Sequence, residues 1–132
     1  MGQEKTGSRD EAVIKAAGAF GGGIAGSGNV CGIVLGAVAM ISSIYSRSGL
    51  EGKEDPRMWA LSKKFLQEFE KLTESFGGIN CRDIAGVDWR DRKAARKYYS
   101  DPDSNRRECI RLVGEAAYIL GRLLEEAERM EK

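Results

Sequence analysis

The sequence predicts an all-α fold, a small bundle of about four to five helices around a buried Ala/Gly-rich central helix. Three observations predict it. Apolar residues recur at steps of three and four in two long segments. No run of alternating or β-branched residues reads as a strand. The only two prolines, Pro56 and Pro102, lie in polar stretches between segments of helical periodicity and punctuate the chain. With 132 residues the chain is long enough to bury a core without disulfide staples. It is expected to form a single helical domain over 1–132, with 1–9 a disordered tail.

In chain order, the first helical piece is expected from Asp10 to Phe20. No charge then occurs from Ala16 to Ser46. Within that stretch Gly18, Gly21, Gly22, Gly23, Gly26 and Gly28 break any helix, leaving an apolar run from Val30 to Tyr45. At about 1.5 Å per residue the run reaches roughly 24 Å, short of the hydrocarbon core of about 30 Å. It is also interrupted by Ser42 and Ser43, so it reads as a buried central helix rather than a membrane span.

From Arg57 to Phe76 the residues Met58, Leu61, Phe65, Phe69, Leu72 and Phe76 make one face of an amphipathic helix, which Gly77-Gly78 stops. A shorter piece, Trp89 to Tyr99, follows a turn at Ala85 to Asp88. The last helix starts near Asn105. There Cys109, Val113, Ala117, Leu120, Leu124 and Ala127 form one stripe, and Leu112, Ala116, Ile119 and Leu123 widen it. So broad a face implies burial against more than one neighbour.

Composition narrows the chemistry. Lys and Arg total 21 against 20 Asp and Glu, so a net charge of +1 supplies no global field for nucleic acid or an anionic membrane. The absence of histidine excludes Ser-His and Cys-His catalysis, imidazole-ligated zinc and haem attachment through C-x-x-C-H. Three cysteines, none in a C-x-x-C, fit neither a secreted disulfide framework nor a zinc ribbon. Reduced thiols in the cytoplasm are expected, and the polar N-terminus, Met1 to Asp10, carries no export signal pattern.

Three patterns carry candidate chemistry. Gly21 to Gly26 satisfies G-x-G-x-x-G, but a helical segment stands where a dinucleotide fold needs a strand. The loop therefore reads as a close-packed turn, or as an anion nest leading into the helix at Asn29. Each cysteine is expected in the first turn of a helix: Cys31 after Ser27-Gly28-Asn29, Cys81 after Asn80 with Asp83 as a capping acid, and Cys109 after Asp103-Ser104-Asn105. Helix N-termini favour thiolate over thiol, and Arg82, Arg106 and Arg107 add positive charge. Lastly, Arg90, Arg92, Lys93, Arg96 and Lys97 lie beside Trp89, Tyr98 and Tyr99. That combination suits single-stranded nucleic acid, but the patch is short and reads better as a solvated helix face.

The stretch from Gly18 to Ala37, with Gly21-Gly22-Gly23-Ile24-Ala25-Gly26 leading to Val30-Cys31-Gly32-Ile33, resembles the signature of the C-GCAxxG-C-C family of putative redox-active proteins. Asn80-Cys81-Arg82-Asp83-Ile84-Ala85-Gly86 resembles its second cysteine block, and Cys109-Ile110-Arg111-Leu112-Val113 its last. The resemblance runs from about Asp10 to Leu120. It implies a small helical protein that works through its cysteines in redox or metal chemistry. The family pattern has four cysteines, the first on an upstream helix expected to lie before Met1, and Ile33 stands where the motif has alanine.

Together these readings predict a cytoplasmic thiol protein in which Cys31, Cys81 and Cys109 converge beside a loop of cofactor-binding glycines, Gly21, Gly22, Gly23, Gly26, Gly28 and Gly32. The three cysteines either exchange electrons or hold a metal or iron–sulfur cluster with one open position. Cys31, with its glycine-rich approach, is expected to be the most reactive. The expected partners are a second copy of the chain and a redox protein, with no nucleic acid and no membrane span. The alternative is a non-catalytic structural or interaction module that dimerises through its helices.

Overall fold

The computed structural model describes residues 1–130, which are all-helical. Among them are seven α-helices, more than the four to five expected, and no strand beyond one isolated bridge. Two of the seven are single turns of five residues: α1 (Gly2–Thr6), in the segment expected as a tail, and α5 (Cys81–Ala85). The others are α2 (Glu11–Ala16), α3 (Gly32–Tyr45), α4 (Arg57–Thr73), α6 (Arg92–Ser100) and α7 (Arg106–Met130). Short 3₁₀ turns at Gly18–Phe20 and Glu74–Phe76 follow α2 and α4. No helix among the described residues is long and apolar enough to cross a membrane.

The bundle is built on α3, α4 and α7, which pack mutually, with α1 lying against α7 and α3. On α4 the predicted stripe is buried: Met58, Leu61, Phe65 and Phe69 face inward, the two phenylalanine rings stacking at 6.0 Å. Asp55 starts this helix. Its carboxylate accepts the Arg57 amide at 2.9 Å and pairs with the Arg57 guanidinium, which holds it down to about 2. Gly77 ends it in the left-handed region, φ 98°.

Two expectations need correction. The uncharged helix α3 is buried along one stripe only, Val34, Ala37, Met40, Ile41 and Tyr45, and Ile44 on its other side is exposed. On α7 the broad face is buried through Leu112, Ala116, Ile119 and Leu123 and through Leu120, Leu124 and Ala127 of the first stripe, but Val113 of that stripe is exposed. The residues flanking Val113 on the same side, Ile110 and Tyr118, are exposed too. The buried positions of α7 pack among α3, α4 and α5, while Val113 borders the open groove between α3 and α7.

Candidate thiol site

The glycine block folds into a left-handed turn. Gly22, Gly23, Ile24, Ala25 and Gly26 all have positive φ, between 52° and 72°. For Ile24 and Ala25 this is a strained conformation, costing about 1–2 kcal/mol per residue. Hydrogen bonding inside the loop holds it. The amides of Ile24, Ala25 and Gly26 donate to Phe20, Ala19 and Gly21, those of Gly28 and Asn29 to Gly22 and Gly23, and that of Ser27 to Ile24. The N–H groups from Ile24 to Asn29 that an anion nest would use are therefore spent within the loop. Steric demand accounts for the glycines: a Cβ on Gly23 would stand 2.5 Å from the Asn29 oxygen and 2.7 Å from the Cys81 Cβ, and one on Gly32 would stand 2.8 Å from the Phe20 oxygen.

This close approach joins two cysteines. Val30 and Asn80 form an antiparallel bridge in which the Cys31 amide donates to Ile79 at 3.0 Å and the Cys81 amide to Asn29 at 2.7 Å. The Arg82 amide continues the pairing to Gly28, and its Nε also donates to the Gly28 oxygen at 3.1 Å. Immediately after the bridge each strand-like segment turns into a helix. Cys31 is thus the residue preceding α3, and Cys81 is the first residue of α5. Cys109 enters from α7, at the end of its first turn, with its amide bonded to Asn105. The Asn80 and Asp83 side chains expected to cap α5 make no such bond.

All three cysteines are free, and they differ in setting. Cys31 is only 8% exposed within the main core. Burial pushes its thiol up; the amides of Ile33 and Val34 pull it down, and the charges of Cys81 and Cys109 push it up again. The N-terminal dipole is present, as expected, but desolvation outweighs it, so Cys31 is not poised as the most reactive thiol. Burial also pushes Cys109 up, opposed by the polar Tyr98 hydroxyl packed in the same core, while the Cys81 charge adds to the rise. The Tyr98 phenol is itself raised by burial and by Cys109. Cys81 is half-buried, and the Trp89 indole Nε1 donates to its sulfur at 3.3 Å.

Cys81 and Cys109 share a small second core with Ala85, Val87, Trp89, Ala94 and Tyr98. The Trp89 and Tyr98 rings meet edge-on at 5.0 Å. These two aromatic residues were legible in the sequence only as part of a basic-aromatic run. The spacing from Cys81 to Trp89 gave no hint that the indole folds back onto the sulfur. Arg82, expected to enrich the charge near a thiol, spends its polar contacts on neutral acceptors, the Gly28 oxygen and Asn29 Oδ1.

Among the described residues, no group of three or more His, Cys, Asp or Glu side chains is arranged to hold a metal ion. The candidate reactive atoms are the thiols themselves, with the Cys81 sulfur held by the Trp89 indole N–H.

These features define a small all-helical protein with three free cysteines, of which Cys81 packs against the glycine turn and shares a small core with Cys109. The chain belongs to the C_GCAxxG_C_C family, described as putative redox-active protein, whose model matches residues 1–123. No curated protein and no solved structure matches it.

Proposed function

We propose that this chain is a thiol–disulfide exchange protein in which Cys81 attacks, Cys109 resolves, and Cys31 is a buried third thiol. The observation that supports the reading most is the shared second core, where two half-buried cysteines lie together with Trp89 and Tyr98 and the Trp89 indole donates to the Cys81 sulfur at 3.3 Å. A donor to sulfur stabilises the thiolate and fixes its direction. Free thiols of this kind suit a reducing compartment such as the cytoplasm.

In the first step the Cys81 thiolate attacks one sulfur of a disulfide R–S–S–R′. A bond forms between Cys81 and R–S, and R′–S⁻ leaves with the electron pair and takes a proton from water. The Cys109 thiolate then attacks the Cys81 sulfur, closing a Cys81–Cys109 disulfide and expelling R–S⁻. The balance is two protein thiols oxidised, one substrate disulfide reduced to two thiols, and two protons moved with two electrons.

The test is trapping. With oxidised small-molecule disulfide, mass mapping of the intact chain should find a Cys81–Cys109 link, and Cys109→Ala should accumulate a mixed disulfide on Cys81. A mixed disulfide that forms first on Cys31, or zinc or iron retained stoichiometrically by the thiols after anaerobic purification, would replace this reading.

A second, compatible reading is self-association. The groove between α3 and α7 is lined by Gly32, Ile33, Gly36, Val113, Ala117 and Leu120, with Ile110 and Val113 exposed. A second copy would cover this apolar strip. Light scattering that gives a monomer mass at micromolar concentration would end it.

A further inference from the structure

Near the proposed exchange site one short helix gathers several cations without acidic partners. Some of the other long basic side chains do have such partners: Lys5 pairs with Glu125, Arg57 with Asp55, Arg111 with Glu108 and Glu115, and Arg122 with Glu68 and Glu126. On α6 the four cations Arg92, Lys93, Arg96 and Lys97 are exposed and make no ion pair among the described residues. Of the acids beside them, Asp91 is used as the helix cap, accepting the amides of Lys93 and Ala94, and Asp101 and Asp103 line the same cleft as Lys97 without an ion pair to it.

Ala94 and Tyr98 of α6 pack in the core that holds Cys81 and Cys109, and Lys97 lines one cleft together with them. Exposed charges such as these act over a Debye length of about 8 Å at physiological ionic strength, so their effect on an approaching ligand depends on salt. On the far side of Trp89, whose indole bonds the Cys81 sulfur, a cleft of about 400 Å³ that Cys81 itself does not line opens between Gly28, Arg82, Trp89 and Arg90. Arg90 there is balanced by Asp88 at 3.0 Å, whereas Arg82 is bonded only to neutral oxygens and keeps its charge. An approaching disulfide meets net positive charge both in the cleft and behind it.

We infer that the disulfide this site exchanges with is anionic, carrying carboxylates or similar groups beside its S–S bond. The inference rests on the exchange reading above. Single-stranded nucleic acid fits the same surface less well. Tyr99 is its one exposed ring, and the Arg106 guanidinium already lies over that ring at 5.6 Å, while Trp89 and Tyr98 are turned onto each other. A stacking platform is lacking, but a steering field is present.

The experiment compares the exchange rates of the reduced chain with a dianionic disulfide, 5,5′-dithiobis(2-nitrobenzoate), and a neutral one, 4,4′-dithiodipyridine. Both are read by the coloured thiol released and referred to 2-mercaptoethanol at the same pH. At low salt the anionic-to-neutral rate ratio should exceed that of 2-mercaptoethanol by about tenfold, and it should fall toward it as salt is raised. The combined variant R92E/K93E/R96E/K97E should bring the ratio down without added salt. Should that variant fold poorly, the salt dependence of the natural chain decides the matter. Thiols that react with both reagents at the 2-mercaptoethanol ratio overturn the inference alone, and thiols inert to both overturn the exchange reading with it. Tight binding of a single-stranded oligonucleotide with an unchanged ratio also overturns it, giving the patch to nucleic acid.

Discussion

The two cores of this molecule are made differently. The large one, between α3, α4 and α7, is filled by Phe65, Phe69, Ile41, Leu112 and Leu123. Its buried polar side chain Thr73 is satisfied by the Phe69 oxygen at 2.9 Å. The small one, under α5 and α6, encloses two sulfurs, an indole and a phenol, and is bordered by a strained turn and by unpaired cations. The first arrangement supplies stability, because burial of apolar rings needs no particular partner. The second is costly in strain and in desolvated thiols, and it persists only because the large core holds its ends in place.

The largest effect should come from the large core. Phe65→Ala removes a fully buried ring and should cost about 3–5 kcal/mol, read as a drop in the urea midpoint, with all three thiols becoming uniformly alkylatable as the chain opens. A loss under 1 kcal/mol would mean that the core is not close-packed around this ring. Gly23→Ala attacks the other region. With φ at +70° and a Cβ that would overlap Asn29 and Cys81, it should cost about 1–3 kcal/mol and change the alkylation rate of Cys81. Gly36→Ala, where nothing lies within 4 Å, is the matched control. It should stabilise by up to about 1 kcal/mol through helix propensity and leave Cys81 alone.

Proton linkage separates the regions further. The Cys31 and Cys109 thiols are raised above the ordinary thiol value of 9.0 in the folded chain. The folded state therefore holds protons that the unfolded state releases. Their contribution is fully present below that value and is lost as pH rises through the folded values. Urea midpoints should be level near neutral pH and fall on the alkaline side, and iodoacetamide should label Cys31 more slowly than a free thiol at pH 8. Stability that climbs on the alkaline side would reverse the assigned cause. The smallest effect is expected at Ala25→Gly. Relief of left-handed strain slightly exceeds the added chain entropy, so the gain should be about 0.5 kcal/mol. A clear loss would show that the turn is not strained there.

The sequence by itself determined the longer helices and their order, but not α1, because spacing of apolar residues and the placement of Gly and Pro are local properties. The α4 stripe from Met58 to Phe69 and the Gly77 stop are examples. It also marked the three cysteines at helix starts and, through the glycine–cysteine blocks, the family. It did not tell that Val113 stands exposed while Leu120, Leu124 and Ala127 of the same stripe are buried, since equally apolar positions differ only in where the neighbouring helices lie along α7. Tertiary structure alone decided the character of the site. The pairing of residues 28–31 with 79–82 is non-local, so no window of sequence contains it, and it sets Cys81 against the glycine turn. Whether a helix-start cysteine is a ready thiolate depends on competition between dipole and desolvation. For Cys31 the fold settled that competition by burying the sulfur, a quantity that belongs to the packed chain and not to any residue in it.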